Sequence, residues 1–172
     1  MQPKVKYTLV PTGWGFFGLA AVGERVYRTV LPSPEPDIAA DYLLQGLSSV
    51  EHEPELLRSV QMKVIDYFDA KPVDFSGFKV YLAEQSDFAR KVLSFCHKKI
   101  KYGQTATYAD LAKQAGSPRA VRAAGQIMAH NPMPLIIPCH RVVASDGKTG
   151  GFSAAGGIET KQKMLTLEGA EA

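Results

Sequence analysis

The side chains best able to do chemistry stand together in residues 131–143, NPMPLIIPCHRVV. Cys139, one of two cysteines in the chain, is followed directly by His140 and Arg141, and positive charge beside a thiol favours the thiolate, which is the nucleophilic form. Pro132, Pro134 and Pro138 each restrict φ and remove a backbone donor, so the segment is expected to be a stiff, extended connector that holds the thiol still. Against that reading, an arbitrary cysteine beside a strand is more often a small buried hydrophobe. The elements on either side must decide between the two.

Two helices precede the connector. Thr107 with Asp110 makes a capping-box-like start for a helix over 108–115, ended by Gly116. Ser117 is placed to cap a second helix over 118–129, with Pro118 at its first position. Helix, glycine-containing turn, helix is the helix-turn-helix plan, and the second helix would be the one that approaches DNA. Arg119 and Arg122 are its basic residues, while Ala120, Ala123, Ala124 and Gly125 keep its profile slim. A plain pair of antiparallel helices is the competing reading. After the connector, 141–144 and the turn Ser145-Asp146-Gly147-Lys148 suggest a strand and hairpin, a small wing beside the helices. The loop TGGFSAAGG follows; it lacks the lysine–serine pair of a phosphate-binding loop, and its glycines would let backbone come close to a flat ligand. A last helix is expected over 159–168.

The first half of the chain carries no such concentration. Runs at 15–21 and 25–31 joined through Val22-Gly23-Glu24 predict a hairpin, with a further strand at 7–10. Asp37 is expected to cap a helix through Leu44, apolar spacing predicts a longer helix over 53–70, and 78–82 reads as a strand. Trp14, Phe16 and Phe17 are expected in the core. Ser86 or Asp87 starts another helix, whose packed face includes Phe88, Val92, Phe95 and Cys96, so Cys96 is expected to be an inert core thiol. The fold class is therefore α+β: a small N-terminal α+β domain over 1–85 with a structural role, then a winged helix-turn-helix-like domain over 86–172.

Composition supports this division. The 172 residues are 45% hydrophobic and 22% charged, with net charge +3, as in an ordinary globular protein. Residues 1–85 hold 8 Lys+Arg against 11 Asp+Glu, net −3, whereas 86–172 hold 12 against 6, net +6. Only the second part is suited to face a polyanion. Two cysteines without metal-site spacing argue against a disulfide framework or zinc site. No apolar run has signal-peptide or membrane-span length, which suggests a cytoplasmic protein without membrane contact.

The string Pro138-Cys139-His140-Arg141-Val142, preceded by Asn131-Pro132 and by the helix-turn-helix, resembles the O6-alkylguanine-DNA alkyltransferases, or methylated-DNA–protein-cysteine methyltransferases. Tyr108, Arg122, Ser153 and Glu168 extend the resemblance across 100–169. It implies a single-turnover DNA repair protein whose partner is double-stranded DNA containing O6-alkylguanine, flipped from the stack before transfer of its alkyl group to Cys139. It further implies that His140 accepts the thiol proton, Glu168 orients His140, Asn131 braces the cysteine turn and Tyr108 donates to the leaving base. Arg122 would fill the gap in the duplex, Arg119 and Arg141 would add DNA contacts, and the Val142 carbonyl and Ser153 backbone would meet the base edge. No cofactor, metal or obligate protein partner is implied, and a monomer suffices. Some relatives carry an N-terminal zinc site built from cysteines, but 1–85 contains none. Phe152, where Tyr is frequent, and Ala154-Ala155 leave the pocket's shape open. The alternative is a winged-helix or alkyltransferase-like protein that binds lesions without chemistry.

Overall fold

The computed structural model describes residues 2–147, 152 and 156–170. The chain divides into two compact units, Met1–Leu82 and Ala83–Ala172. The architecture is mixed α and β, and no helix among the described residues is long and apolar enough to cross a membrane.

The first unit is built on strands β1 (Val5–Thr12), β2 (Gly15–Val22) and β3 (Arg25–Ser33), followed by α1 (Pro36–Leu44), β4 (Val50–His52) and α2 (Arg58–Phe68). The sheet order is β3-β2-β1-β4, antiparallel except for the β1–β4 pair. β2 is buried without a break from Phe17 to Ala21, because both of its faces are covered. One face meets α1, where Gly18 lies under Leu43; Phe17, on the other, packs against Phe68 of α2 at 6.3 Å between ring centroids. Trp14 joins Phe68 at 5.1 Å. These contacts put Trp14 and Phe17 in the packing expected of them.

Several local expectations for this unit need correction. Residue Glu35, with no side-chain bond, is the cap of α1, and Asp37 lies in its first turn. The helix expected from residue 53 begins only at Arg58, because Val50–His52 pairs with Val5–Tyr7 as a parallel strand. Parallel partners are distant in sequence and leave little local pattern. Residues 78–82 contribute one bridge, Val80 to Val26, instead of a strand.

The second unit starts with α3 (Asp87–Lys99), capped by the Ser86 side chain, which accepts from the Ala89 N–H. It continues through β5 (Ala106–Thr107), α4 (Tyr108–Gln114), α5 (Val121–Ala129), a 3-10 turn at Cys139–Arg141, β6 (Val142–Val143) and α6 (Gly157–Leu167). The Thr107/Asp110 capping box is complete in both directions. Cys96 is fully buried on α3, and burial pushes its thiol well up.

Two expectations fail here too. Residues 117–120 form a turn closed by Ala120 N–H to Ser117 C=O at 2.9 Å, so α5 begins at Val121 without a serine cap and Arg119 sits before it. β6 pairs in parallel with β5, a pairing the sequence does not announce; the rest of the expected wing hairpin, from Lys148 on, lies outside the described residues. The proline segment is folded, not extended. Pro134 bridges Ile137, Leu135 adopts φ 75°, and Met133, Leu135, Ile136 and Ile137 are buried. Four apolar side chains gain more from burial than an extended run would allow.

Candidate active site

Cys139 begins the 3-10 turn, and the folded loop before it fixes its backbone. The Cys139 N–H donates to Ile137 C=O at 2.8 Å. Asn131 ties the same loop twice: its side-chain nitrogen donates to Ile137 C=O at 2.9 Å and its oxygen accepts from the Met133 N–H at 3.0 Å. The loop therefore presents the thiol through hydrogen bonds as well as proline geometry. Cys139 is 7% exposed and lines a pocket of about 780 Å³ with Tyr108, Arg122, Gly125, Met128 and Phe152.

Behind the thiol lies a buried ionic network. His140 is fully buried, and its Nε2 pairs with Glu168 Oε2. The other carboxylate oxygen accepts from Arg141 Nε at 2.8 Å and from the Gly103 N–H at 3.0 Å. Arg141 Nη1 donates to Ile100 C=O at 2.8 Å. Burial would raise the Glu168 carboxyl, but its hydrogen bond with His140, the Arg141 charge and the Gly103 N–H bring it down to about 2. For His140 burial dominates and holds the imidazole below its usual range despite Glu168, so the resting pair is neutral imidazole and carboxylate. The Nδ1 edge is then the side of the ring from which a proton can be taken up.

The thiol itself departs from the expectation. Burial pushes Cys139 above its ordinary value, opposed by Asn131, Lys161 and backbone N–H groups. The side-chain charges of its neighbours do not lower it as predicted, because His140 is neutral and Arg141 is committed to Glu168. Arg141, expected among the DNA contacts, is 5% exposed, and its guanidinium faces Glu168 and the Tyr102 ring.

Tyr108 is the first residue of α4, half-buried on the pocket wall, and burial raises its hydroxyl, as does Cys139. Arg122 is exposed at the pocket lip on α5. Val142 follows the 3-10 turn in β6. Cys139, His140, Glu168, Asn131 and Tyr108 thus converge, with Arg122 and Val142 beside them; Ser153 lies outside the described residues. Among the described residues no three His, Cys, Asp or Glu side chains cluster as metal ligands.

One participant escaped sequence reasoning. Lys161 is fully buried, and its Nζ donates to Val142 C=O at 2.6 Å. The signal was present: Lys161, Met164, Leu165 and Glu168 are spaced i, i+3, i+4, i+7, one buried helix face.

Fold and site together describe a thiol with a histidine–carboxylate pair behind it, opening beneath a helix-turn-helix. The family description "6-O-methylguanine DNA methyltransferase, DNA binding domain" matches residues 87–170. A Mus musculus methylated-DNA–protein-cysteine methyltransferase is 48% identical over 176 residues, covering 96% of this chain and 82% of the relative. The Homo sapiens protein of that name is 36% identical, with 91% and 67% covered. The chain also resembles OGT from Mycobacterium tuberculosis in complex with DNA (TM-score 0.76, 28% identity, 95% and 92% covered). An O6-methylguanine-DNA methyltransferase from Pyrococcus kodakaraensis is similar (TM-score 0.70, 27% identity, 96% and 99% covered). The chain belongs to the methylated-DNA–protein-cysteine methyltransferase family.

Proposed function

We propose that this chain repairs DNA by moving an alkyl group from O6 of guanine onto Cys139, once per molecule. The observation that carries this reading is the pocket with Cys139 in its wall, the His140–Glu168 pair behind the thiol and Arg122 at its lip. The DNA-binding description of residues 87–170 and the DNA complex of the Mycobacterium tuberculosis relative support duplex DNA as the ligand. A guanine inside a duplex cannot reach a buried thiol, so it has to leave the stack, and Arg122 occupies the space it vacates.

In the reaction the Sγ–carbon bond forms as the carbon–O6 bond breaks, and the electron pair of that bond stays on the guanine. The thiol proton goes to His140 through a bridging water, and Glu168 stabilises the resulting imidazolium. Tyr108 donates to the leaving base. Asn131 acts on the loop that aims Cys139, and the Val142 carbonyl takes the base edge. The thioether has no easy route back to thiol, so each molecule works once, and one chain carries every residue the step uses. The first unit serves as structural support and the second carries DNA binding and transfer.

The test is intact mass and peptide mapping after incubation with an O6-methylguanine duplex. One methyl group per chain, on Cys139, is expected; Cys139→Ser should abolish it and Cys96→Ser should leave it. Repeated turnover, or tight lesion binding without an adduct, would overturn the reading, the latter in favour of a lesion-binding protein without chemistry.

A further inference from the structure

Lys161 is a cation in a place where a helix needs none. It lies on the buried face of α6 with its side chain fully covered, and burying an ammonium is costly unless its charge is balanced. Its contacts among the described residues supply no negative charge. The Nζ donates to Val142 C=O at 2.6 Å and stands 5.8 Å from the Tyr108 ring centroid and 6.0 Å from that of Phe152. Glu168 is the buried carboxylate among the described residues, and it is engaged by His140 and Arg141. No ion pair to Lys161 exists among the described residues. With His140 neutral, Arg141, Lys161 and Glu168 leave one positive charge in excess.

Among the described residues the group able to cancel that charge is Cys139, which shares the pocket wall with Tyr108 and Phe152, the two rings against Lys161. We propose that Lys161 is the electrostatic partner of the Cys139 thiolate, its ammonium aimed by the Val142 carbonyl and the Tyr108 and Phe152 rings. Ionisation of the thiol then brings the buried set to neutrality. This inference rests on Cys139 being the nucleophile of the proposed reaction. Lys161 acts through the sulfur and through the carbonyl and rings around the flipped base, so it is a positioning residue.

The coupling is mutual. Burial lowers Lys161 to about 8 while Cys139 draws it upward, and Lys161 in turn draws the buried Cys139 thiol downward. The same ammonium helps keep His140 neutral and ready to accept a proton. The ionisable groups around it are Cys139 and His140 from the 3-10 turn and Tyr108 from α4; Arg141 and Glu168 pair with each other.

The test uses full-length wild type, Lys161→Met and Lys161→Arg without DNA. The rate of Cys139 alkylation by iodoacetamide is followed against pH by peptide mapping. For Lys161→Met the midpoint should rise by about one unit and the rate at neutral pH fall about tenfold, since one unit is tenfold in thiolate. Lys161→Arg should keep the midpoint near wild type. A slower rate with an unmoved midpoint in Lys161→Met would reduce Lys161 to a packing role and overturn the proposal. A second arm does not depend on those variants folding: the Lys161 side chain is titrated by NMR in wild type and Cys139→Ser. Its midpoint should fall in Cys139→Ser, and equal midpoints would overturn the proposal. Neither arm involves alkylated DNA. A wild-type protein that fails to take methyl from the duplex while both arms succeed would sink the repair function and leave the Lys161–Cys139 pairing intact.

Discussion

At the scale of the residue, Glu168 bears more of this site than any other side chain. It accepts from His140, Arg141 and Gly103 and places a carboxylate behind an imidazole that burial keeps neutral. Its carboxyl falls from 4.5 to about 2 on folding. A depressed carboxyl adds stability above its unfolded value, and that stability disappears as pH falls through the folded one. Glu168 should thus contribute about 3 kcal/mol at neutral pH, lost progressively between roughly pH 4.5 and 2. Urea unfolding of wild type and Glu168→Gln across acid pH checks this: the wild-type advantage should shrink over that window. A constant difference would show that Glu168 is not ionised in the fold. At neutral pH the Gln variant should lose roughly 3 kcal/mol or more, because Arg141 is left buried without its anion.

At the scale of the element, α4 shows how a local cap serves the site. Thr107 accepts from the Asp110 N–H at 3.0 Å, and Asp110 accepts from the Thr107 N–H at 2.8 Å. The box fixes the first turn, where Tyr108 faces the pocket. Thr107→Ala should cost about 1 kcal/mol, seen as a lower Tm, and should slow methyl transfer more than it weakens duplex binding. Equal effects on both would mean that the cap supports the helix without placing Tyr108. The turn before α5 has the opposite character. Ser117 and Pro118 looked like a helix start, yet four residues are spent in a hydrogen-bonded turn before Val121. Arg122 consequently stands in the first turn of α5, at the pocket's edge.

At the scale of the whole molecule, charge is the simplest organising feature: net −3 in residues 1–85 and net +6 in 86–172. DNA affinity should fall steeply with salt, because basic side chains displace counterions from phosphate. Arg119→Ala should reduce the salt slope by about one if Arg119 meets a phosphate. Arg141→Ala should destabilise the fold instead, since its guanidinium is buried on Glu168 and Ile100. Binding isotherms at several salt concentrations separate the two; a drop in slope for a still-folded Arg141→Ala would restore Arg141 to the DNA surface.

Much was legible in the chain itself. The β2–β3 hairpin, the Thr107 cap, the Ser86 cap and the buried Cys96 all follow from neighbours a few residues apart, where turn chemistry and side-chain spacing act directly. The order of Asn131, PCHRV and Glu168 likewise carried the family resemblance. Tertiary structure decided what depends on residues far apart: the parallel pairings β1–β4 and β5–β6, the folding of the proline segment onto its own apolar side chains, and the fate of charge. Arg141 and Lys161 look like surface cations in a string of letters. One is buried against Glu168, 27 positions away, and the other against the Val142 carbonyl, 19 positions away. The energy of a charge depends on the groups and solvent around it, and only the folded chain determines those.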